Sequence, residues 1–335
     1  MRPRGSVASA LVGAAVLVLL TGCSGEDGGS DVPTRAPATA AVSPATANPV
    51  GQVFAAPATK ALLAESSTGR LAALDTAGTA LALIDPAAPT TPRTVSLPAV
   101  GASLSQGKPG EVLVAAPDRV LRVDVATGTL TETPVDGDVH SVRTRTDGTL
   151  VVGTADGTVR ELTADGAVSR TITGLVSADE IALTGENITV LDRKQTAVVA
   201  VGQDALGLML RAGDGATNAI TDQHGRIIVA DTAGDELLVY SAGPLVLRQR
   251  FPVSSSPYAL AYDPRSDTVW VSCTQSNEVV GYDLSTGIGV EVARLATLRQ
   301  PDAITVDERT GDLFVASAVG DGLQRIGAEE RKRGQ

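Results

Sequence analysis

The chain has 335 residues, of which 43% are hydrophobic but only 2% are aromatic, so a large core is possible and must consist mainly of Val, Leu, Ile and Ala. The formal net charge is −11, and nucleic-acid binding requires a concentrated basic surface. We therefore expect no nucleic-acid partner.

Residues 1–22 have the pattern of a bacterial lipoprotein signal peptide. Two arginines precede an apolar run over 10–20, which is too short to span a bilayer. The run ends in Leu-Thr-Gly-Cys at 20–23, which resembles a lipobox. The resemblance implies that Cys23 is lipidated and becomes the first residue of the mature chain. An ordinary secretory signal followed by an unrelated cysteine is the alternative.

Lipidation of Cys23 places the protein in a membrane. Two or three acyl chains such as palmitate give stable anchoring, whereas one chain does not. We expect a protein anchored on the extracytoplasmic face of the cell membrane. The sequence does not decide between the plasma membrane and an outer membrane. The 23 arginines against 4 lysines, together with abundant Ala and Gly, are typical of a high-GC genome and indicate an actinobacterium.

Residues 23–49 are predicted to form a disordered tether. The segment is rich first in Gly and then in Pro, Ala and Thr, so it has little apolar surface to bury. Its threonines are candidate sites for O-linked sugars, and a plain solvated linker is the alternative.

A short apolar strand recurs seven times after the tether. The copies begin at 69, 110, 148, 186, 225, 267 and 311, with separations of 41, 38, 38, 39, 42 and 44 residues. A period near 40 residues with strand-like content in every unit is typical of a β-propeller. Turn residues between the apolar runs divide each unit into four antiparallel strands. The sequence therefore predicts an all-β, seven-bladed propeller.

The seventh unit lacks its fourth strand. Residues 50–54, just before the first unit, form a short strand pattern that can supply it and close the ring. We therefore predict a propeller over 50–327, followed by a charged tail over 328–335.

Two segments resemble known propeller repeats. GRIIVADTAGDELLVY at 225–240 is similar to an NHL-type repeat, and DTVWVSCTQSNEVVGYDLSTG at 267–287 is similar to the YVTN-type repeat of bacterial envelope propellers. The resemblance implies a binding platform. Related repeats also occur in enzymes such as streptogramin lyases and gluconolactonase-like hydrolases.

The first strands of the seven units should line a central channel, and their starting residues should surround its mouth. These seven starting residues form a ring, and its members are more varied in chemistry than those of any other ring of equivalent positions in the chain. We take five of them as candidate ligand-binding residues: His140, Asp179, Asn218, Tyr258 and Asp302.

Carboxylates that converge on a channel can hold Ca²⁺, which takes six to eight oxygen ligands. Asp179 and Asp302 are the candidate metal ligands on this basis, with a solvated channel rim as the alternative. Asp75, Asp192 and Asp231 stand at the ends of the repeated strands, where aspartate commonly caps the following turn. We expect these three to be caps.

No catalytic residue can be assigned. The chain has none of the common zinc, serine-hydrolase or phosphate-loop motifs, and Cys273 has no disulfide partner once Cys23 is lipidated, so we expect a buried, inert thiol. The sequence favours a monomeric binding or scaffold module for an envelope protein, glycan or small ligand. The alternative is an enzyme on the channel face, a lyase or lactonase-like hydrolase that uses Ca²⁺ or no metal.

Overall fold

The computed structural model describes Met1 and residues 34–331. The predicted signal peptide, Cys23 and the first part of the tether lie outside the described residues, as do residues 332–335. No helix within 34–331 is long and apolar enough to cross a membrane.

The regular secondary structure of the described residues consists of β-strands and one short helix. The elements are β1 Gln52–Phe54, β2 Thr59–Ala64, β3 Leu71–Asp75, β4 Ala80–Ile84, β5 Arg93–Ser96, β6 Ser103–Gln106, β7 Glu111–Asp124, β8 Leu130–Thr144, β9 Leu150–Thr154, β10 Val159–Leu162, β11 Val168–Ile172, β12 Glu180–Thr184, β13 Asn187–Asp192, β14 Ala197–Val201, β15 Leu206–Arg211, β16 Ala216–Thr221, β17 Arg226–Asp231, β18 Glu236–Ser241, β19 Val246–Pro252, β20 Pro257–Asp263, β21 Thr268–Cys273, β22 Glu278–Asp283, β23 Val290–Ala296, β24 Ala303–Val306, β25 Leu313–Ala316, β26 Leu323–Ile326 and α1 Ala328–Arg331.

The strands of 34–331 form six antiparallel sheets around a channel. Five have four strands each, in the orders β2-β3-β4-β5, β12-β13-β14-β15, β16-β17-β18-β19, β20-β21-β22-β23 and β24-β25-β26-β1. The sixth has six strands, in the order β6-β7-β8-β9-β10-β11. The innermost strands contact one another in a closed circle, which runs through β2, β6, β8, β12, β16, β20 and β24 and back to β2. This arrangement confirms an all-β propeller.

The predicted number of blades is wrong when each continuous sheet is counted as one blade, because the propeller then has six blades and not seven. The second and third repeats share the six-stranded sheet. The long strand β8 is the outer strand of the second repeat over 130–134, where it pairs with β7. It continues as the inner strand of the third repeat over 139–144, where it pairs with β9. A single pairing of Pro117 with Asp138 lies at the junction, where the register between β7 and β8 shifts, and it joins the two repeats in one sheet.

The predicted closure of the ring is confirmed. β1 pairs antiparallel with β26, and Gln52 lies opposite Arg325. The fully buried Gln324 strengthens the junction, because its side-chain amide donates to the carbonyl oxygens of Val50 (2.7 Å) and Ala296 (3.0 Å). The first and last strands of the propeller therefore protect each other's edges.

Apolar side chains fill the spaces between neighbouring sheets. In β17, Ile227 and Val229 pack towards the fourth repeat, and Ile228 and Ala230 pack towards the sixth. A strand with a neighbour on each face buries successive residues, which explains why the repeated strands are continuous apolar runs. Cys273 is fully buried in such a space, and burial raises the pKa of its thiol to about 12, in agreement with an inert cysteine.

Residues 34–49 differ from the predicted tether, because they lie along the propeller. The backbone N–H of Arg35 donates to the Lys194 carbonyl (2.9 Å), and that of Ser43 donates to Gln300 Oε1 (3.0 Å). The segment has no regular secondary structure. Its mostly small side chains bury little, but its backbone still forms hydrogen bonds with the ring.

The start of the charged tail is also packed. Arg331, at the end of α1, is 8% exposed and donates from Nη2 to Asp263 Oδ2 at 2.9 Å. Its guanidinium carbon lies 5.2 Å from the centre of the Trp270 ring. A buried carboxylate and an aromatic face together hold this cation in place, so the tail is not simply solvated.

Candidate functional site

The five predicted residues lie at the same end of the inner strands. His140, Asn218 and Tyr258 are within β8, β16 and β20, and Asp179 and Asp302 stand one residue before β12 and β24. We call this side of the ring the upper face. It also carries the loops that join the second strand of each repeat to the third.

His140 and Asp179 form a hydrogen-bonded pair. His140 Nδ1 lies 3.1 Å from Asp179 Oδ1, and His140 Nε2 lies 3.6 Å from Asp138 Oδ2. The hydrogen bond with Asp179 is the main cause of a raised His140 pKa, and burial partly opposes it. Burial alone would raise the pKa of Asp179, but the His140 hydrogen bond and the Arg193 charge lower it overall. The pair therefore favours an imidazolium next to a carboxylate, with Nε2 on the more exposed side.

Asp179 is oriented by the turn after β13. The backbone N–H of Arg193 donates to Asp179 Oδ2 (2.8 Å), and the Ser177 hydroxyl lies 2.5 Å from the same oxygen. Asp192 accepts the N–H groups of Val176 (2.8 Å) and Gln195 (3.0 Å). These bonds make the Asp179 carboxylate a fixed part of the face.

The capping role predicted for three aspartates is confirmed. Besides Asp192, Asp75 accepts the N–H of Thr79 (2.7 Å), and Asp231 accepts the N–H of Gly234 (3.2 Å) in the turn that follows it. Asp231 also accepts the N–H of Gly215 (2.7 Å) from the loop before β16. The loop before β16 approaches Asp231 so closely that a Cβ at Gly213 would lie 1.8 Å from Asp231 Oδ2. Gly213 also has a φ of +74°, so both space and backbone require glycine there.

Sequence reasoning missed Glu180, whose side chain is 13% exposed. Glu180 lies between two guanidinium groups, with Arg143 Nη2 at 3.2 Å and Arg193 Nη2 at 3.2 Å from its oxygens. A comparison of the repeats contains the signal that would have identified it. The equivalent residue of every other inner strand is small: Ala61, Ser103, Ser141, Ala219, Ala259 and Ala303.

Tyr258 lies near charged groups from more than one repeat of the upper face. The Asn218 side chain donates to the Tyr258 carbonyl at 3.0 Å. Burial raises the pKa of Tyr258, and the charges of Arg193, Asp302 and Glu180 also act on this pKa. The phenol therefore lies within the electrostatic range of both the arginine–glutamate cluster and Asp302.

Asp302 has the most unusual carboxyl group of the predicted site. Burial raises its pKa from 3.8 to about 6, and a hydrogen bond from Gln300 Nε2 (2.9 Å) only partly offsets this rise. A carboxyl with a pKa near 6 can accept or release a proton close to neutral pH.

The predicted Ca²⁺ ligands do not form a cluster. Within 34–331, no group of three or more His, Cys, Asp or Glu residues is placed to hold a metal ion. Asp179 bonds to His140, Ser177 and Arg193, whereas Asp302 bonds to Gln300. The two carboxylates therefore have no bonding partner in common, and Ca²⁺ binding stays a prediction.

The other end of the channel contains a cavity of about 880 Å³. Six of the seven inner strands line it, together with the loops that follow β2, β6, β8 and β24, and β12 does not contribute. Leu104, Ile220 and Leu260 supply apolar surface, and Arg143 and Glu308 supply opposite charges. Burial raises the pKa of Glu308. The repeat pattern pointed only to the upper mouth of the channel, and this cavity was not predicted from the sequence.

No protein-family model matches the chain, and no curated protein matches it. Solved structures do. A streptogramin B lyase aligns with a TM-score of 0.67 at 12% identity over 84% of this chain and 96% of the other. The catalytically inactive histidine-to-alanine variant of virginiamycin B lyase from Staphylococcus aureus, with quinupristin, aligns with a TM-score of 0.66 at 14% identity over 83% and 98%. Hydrazine synthase of Kuenenia stuttgartiensis aligns with a TM-score of 0.67 at 13% identity over 81% and 96%. At these identities the likeness shows the propeller fold alone.

Proposed function

We propose that this protein is a lipid-anchored, extracytoplasmic propeller that binds a small ligand in its central channel. The channel cavity of about 880 Å³ carries the proposal, because ligand pockets commonly have volumes of about 300–1,000 Å³. Its lining combines apolar side chains with a few charged groups, as small-molecule sites do.

The binding test uses two tryptophan variants. Leu104→Trp fills part of the cavity, whereas Leu208→Trp adds the same side chain to an exposed position in β15 that is 53% exposed. The melting temperatures are measured with sugars, lactones and amino acids, since a ligand at a hundred times its dissociation constant adds about 2.7 kcal/mol. We expect a compound that stabilises the wild type and Leu208→Trp but not Leu104→Trp. Equal stabilisation of all three would contradict binding in the cavity.

The membrane anchor rests on the lipobox-like sequence and is tested separately. Cells expressing the full chain are fed an alkyne-labelled fatty acid, and the labelled protein is detected after fractionation. We expect label and membrane association in the wild type and in Cys273→Ser, and loss of both in Cys23→Ser. Label that persists in Cys23→Ser would argue against the proposed anchor.

An enzyme at the upper face is the second candidate. It is favoured by His140, which lies between Asp179 and Asp138, and by Asp302, whose pKa is raised to about 6. Asp302 can exchange a proton close to neutral pH, and the raised pKa of His140 favours its protonated, proton-donating form, as acid–base chemistry in a lyase requires. Similarity in fold to streptogramin B lyase adds only weak support.

Quinupristin, the compound present with the similar lyase, is a suitable first substrate. The full chain is incubated with quinupristin, with Ca²⁺ or with EDTA, and products are followed by mass spectrometry. An enzyme of this kind would form a product that His140→Asn and Asp302→Asn each reduce at least 100-fold. A product rate that both variants leave unchanged would exclude catalysis by these residues.

A further inference from the structure

The upper face makes a regular set of hydrogen bonds to the backbone of residues 41–46. Gln300 contacts two alternate residues, because its Oε1 accepts the N–H of Ser43 (3.0 Å) and its Nε2 donates to the carbonyl of Ala41 (2.9 Å). In an extended chain, alternate residues present their backbone groups on the same edge. One amide side chain therefore reads one edge of an extended peptide.

Asn277 continues this pattern along the segment. Its Nδ2 donates to the carbonyl of Pro44 (3.1 Å) and to that of Thr46 (3.3 Å), again two residues apart. At the other end, Ser256 Oγ accepts the N–H of Ala41 (3.2 Å). Three polar side chains from three different loops thus bind five backbone groups.

The loops hold these three side chains in an unusual backbone conformation. Ser256, Asn277 and Gln300 have φ values of 59°, 54° and 51°. Residues with a side chain rarely adopt this left-handed region, because it is sterically unfavourable for them. Glycine would relieve that strain but would remove the bonds to the segment. Thr196 and Asp235 share this conformation in the equivalent turns of the fourth and fifth repeats, so at Asn277 the repeat itself supplies it and presents the side chain in a fixed direction.

The bonds also show which ligand chemistry the face accepts. Most contacts are to backbone, and Val42 is 89% exposed. Ser43 is the one side chain bound, since its hydroxyl donates to the Thr274 carbonyl (2.6 Å) and accepts from the Gln300 N–H (2.9 Å). Pro44 follows and has no N–H to satisfy. The site fits an extended peptide with Ser-Pro at its centre and few demands on the other side chains.

We propose that Ser256, Asn277 and Gln300 form a peptide-binding site on the upper face, and that residues 41–46 occupy it as an intramolecular ligand that a peptide of the same chemistry can replace. This site is separate from the channel cavity, and it does not depend on the ligand proposed there.

The test measures binding of a fluorescent peptide with the sequence of residues 38–47 to the full chain in detergent, by anisotropy. Ser43→Pro in the protein removes the N–H and the hydroxyl of the intramolecular ligand without changing the ring. Ala45→Pro is the matched control, because Ala45 is exposed and outside the bonds described above. We expect Ser43→Pro to bind the peptide at least tenfold more tightly than the wild type and Ala45→Pro.

Two further measurements exclude a trivial result. Adding Gln300→Ala to the Ser43→Pro chain should weaken peptide binding at least tenfold, and a peptide with Ser43→Pro should not compete. Hydrogen exchange on the wild type should show protected amides at Ala41 and Ser43. The proposal is overturned if wild type and Ser43→Pro bind the peptide with equal affinity, if binding survives Gln300→Ala, or if the amides of Ala41 and Ser43 are unprotected. Hydrogen exchange is measured on the wild type, so this last test holds even if Ser43→Pro is poorly folded.

Discussion

Asp302 should destabilise the propeller when it is ionised, so Asp302→Asn should stabilise it at high pH. Burial raises the pKa of Asp302 from 3.8 to about 6. A difference of one in pKa corresponds to about 1.4 kcal/mol, so the full effect above pH 7 is about 3 kcal/mol before solvent screening. The side chain is only partly buried, and we therefore expect about 1–2 kcal/mol. Asparagine keeps an oxygen that can accept the bond from Gln300 Nε2.

The pH dependence distinguishes this cause from a general effect of the substitution. A carboxyl with a raised folded pKa has no penalty below its unfolded pKa, and the penalty grows as the pH rises from about 4 to about 7. At pH 8, urea unfolding should therefore give a higher free energy of unfolding for the Asn variant than for the wild type. Thermal unfolding at the same pH should give a melting temperature roughly 2–5 °C higher. At pH 4 both differences should vanish. Asp204→Asn, in an exposed turn, is the control and should show no such trend. A stabilisation that is the same at both pH values, or a destabilised variant at pH 8, would refute the reasoning.

Three further outcomes are expected. The hydrogen bond with Asp179 raises the pKa of His140, so their pairing stabilises the fold below about pH 6.5, and this stabilisation is lost as the pH rises through the folded pKa. His140→Asn should therefore lower the free energy of unfolding more at pH 5.5 than at pH 9. The difference, measured by urea unfolding, should be under about 1 kcal/mol after solvent screening. Gln324→Ala should cost about 2–4 kcal/mol in the same assay, because it leaves the carbonyls of Val50 and Ala296 without this donor. The control Gln203→Ala, on the surface, should change stability by less than about 0.5 kcal/mol. Equal effects of the two substitutions would contradict the role of Gln324 in closing the ring. The Cys273 thiol is fully buried, and burial raises its pKa to about 12. It should therefore not react with a disulfide reagent at pH 8 until urea unfolds the chain. Rapid labelling of the folded protein would contradict this expectation, because it would show that the thiol is accessible.

The repeats could be read from the sequence because each depends on local features. A continuous apolar run such as that of β17 packs on both of its faces, and turn residues mark where it ends. The number of separate blades depends on a different property. β8 continues from one repeat into the next, and Pro117 pairs with Asp138 at the junction, so the count depends on a contact between residues that are distant in the sequence.

The positions of the candidate site residues could also be predicted, because strand ends follow from the repeat. Their partners could not. Glu180 was missed because its importance arises from Arg143 and Arg193, which approach it from different strands. Gln300 was missed because its role is to bond Asp302 and residues 41–43, and the latter lie more than 250 positions away in the chain.

Composition predicted residues 34–49 to be unpacked, since they carry few large apolar side chains. Hydrophobic burial is only one way in which a segment can be held. The segment is instead bound through its backbone, which every sequence possesses, so composition does not reveal such contacts.

By itself, the sequence determined the strands, the propeller class, the closing strand at 50–54 and the aspartate caps, because alternation, turn chemistry and capping act over a few residues. Only the tertiary structure decided the count of separate sheets, the raised pKa of Asp302, the cluster around Glu180, the cavity at the lower end of the channel and the course of residues 34–49. These properties depend on which distant groups come within a few ångströms of one another, and on how much water the fold excludes between them.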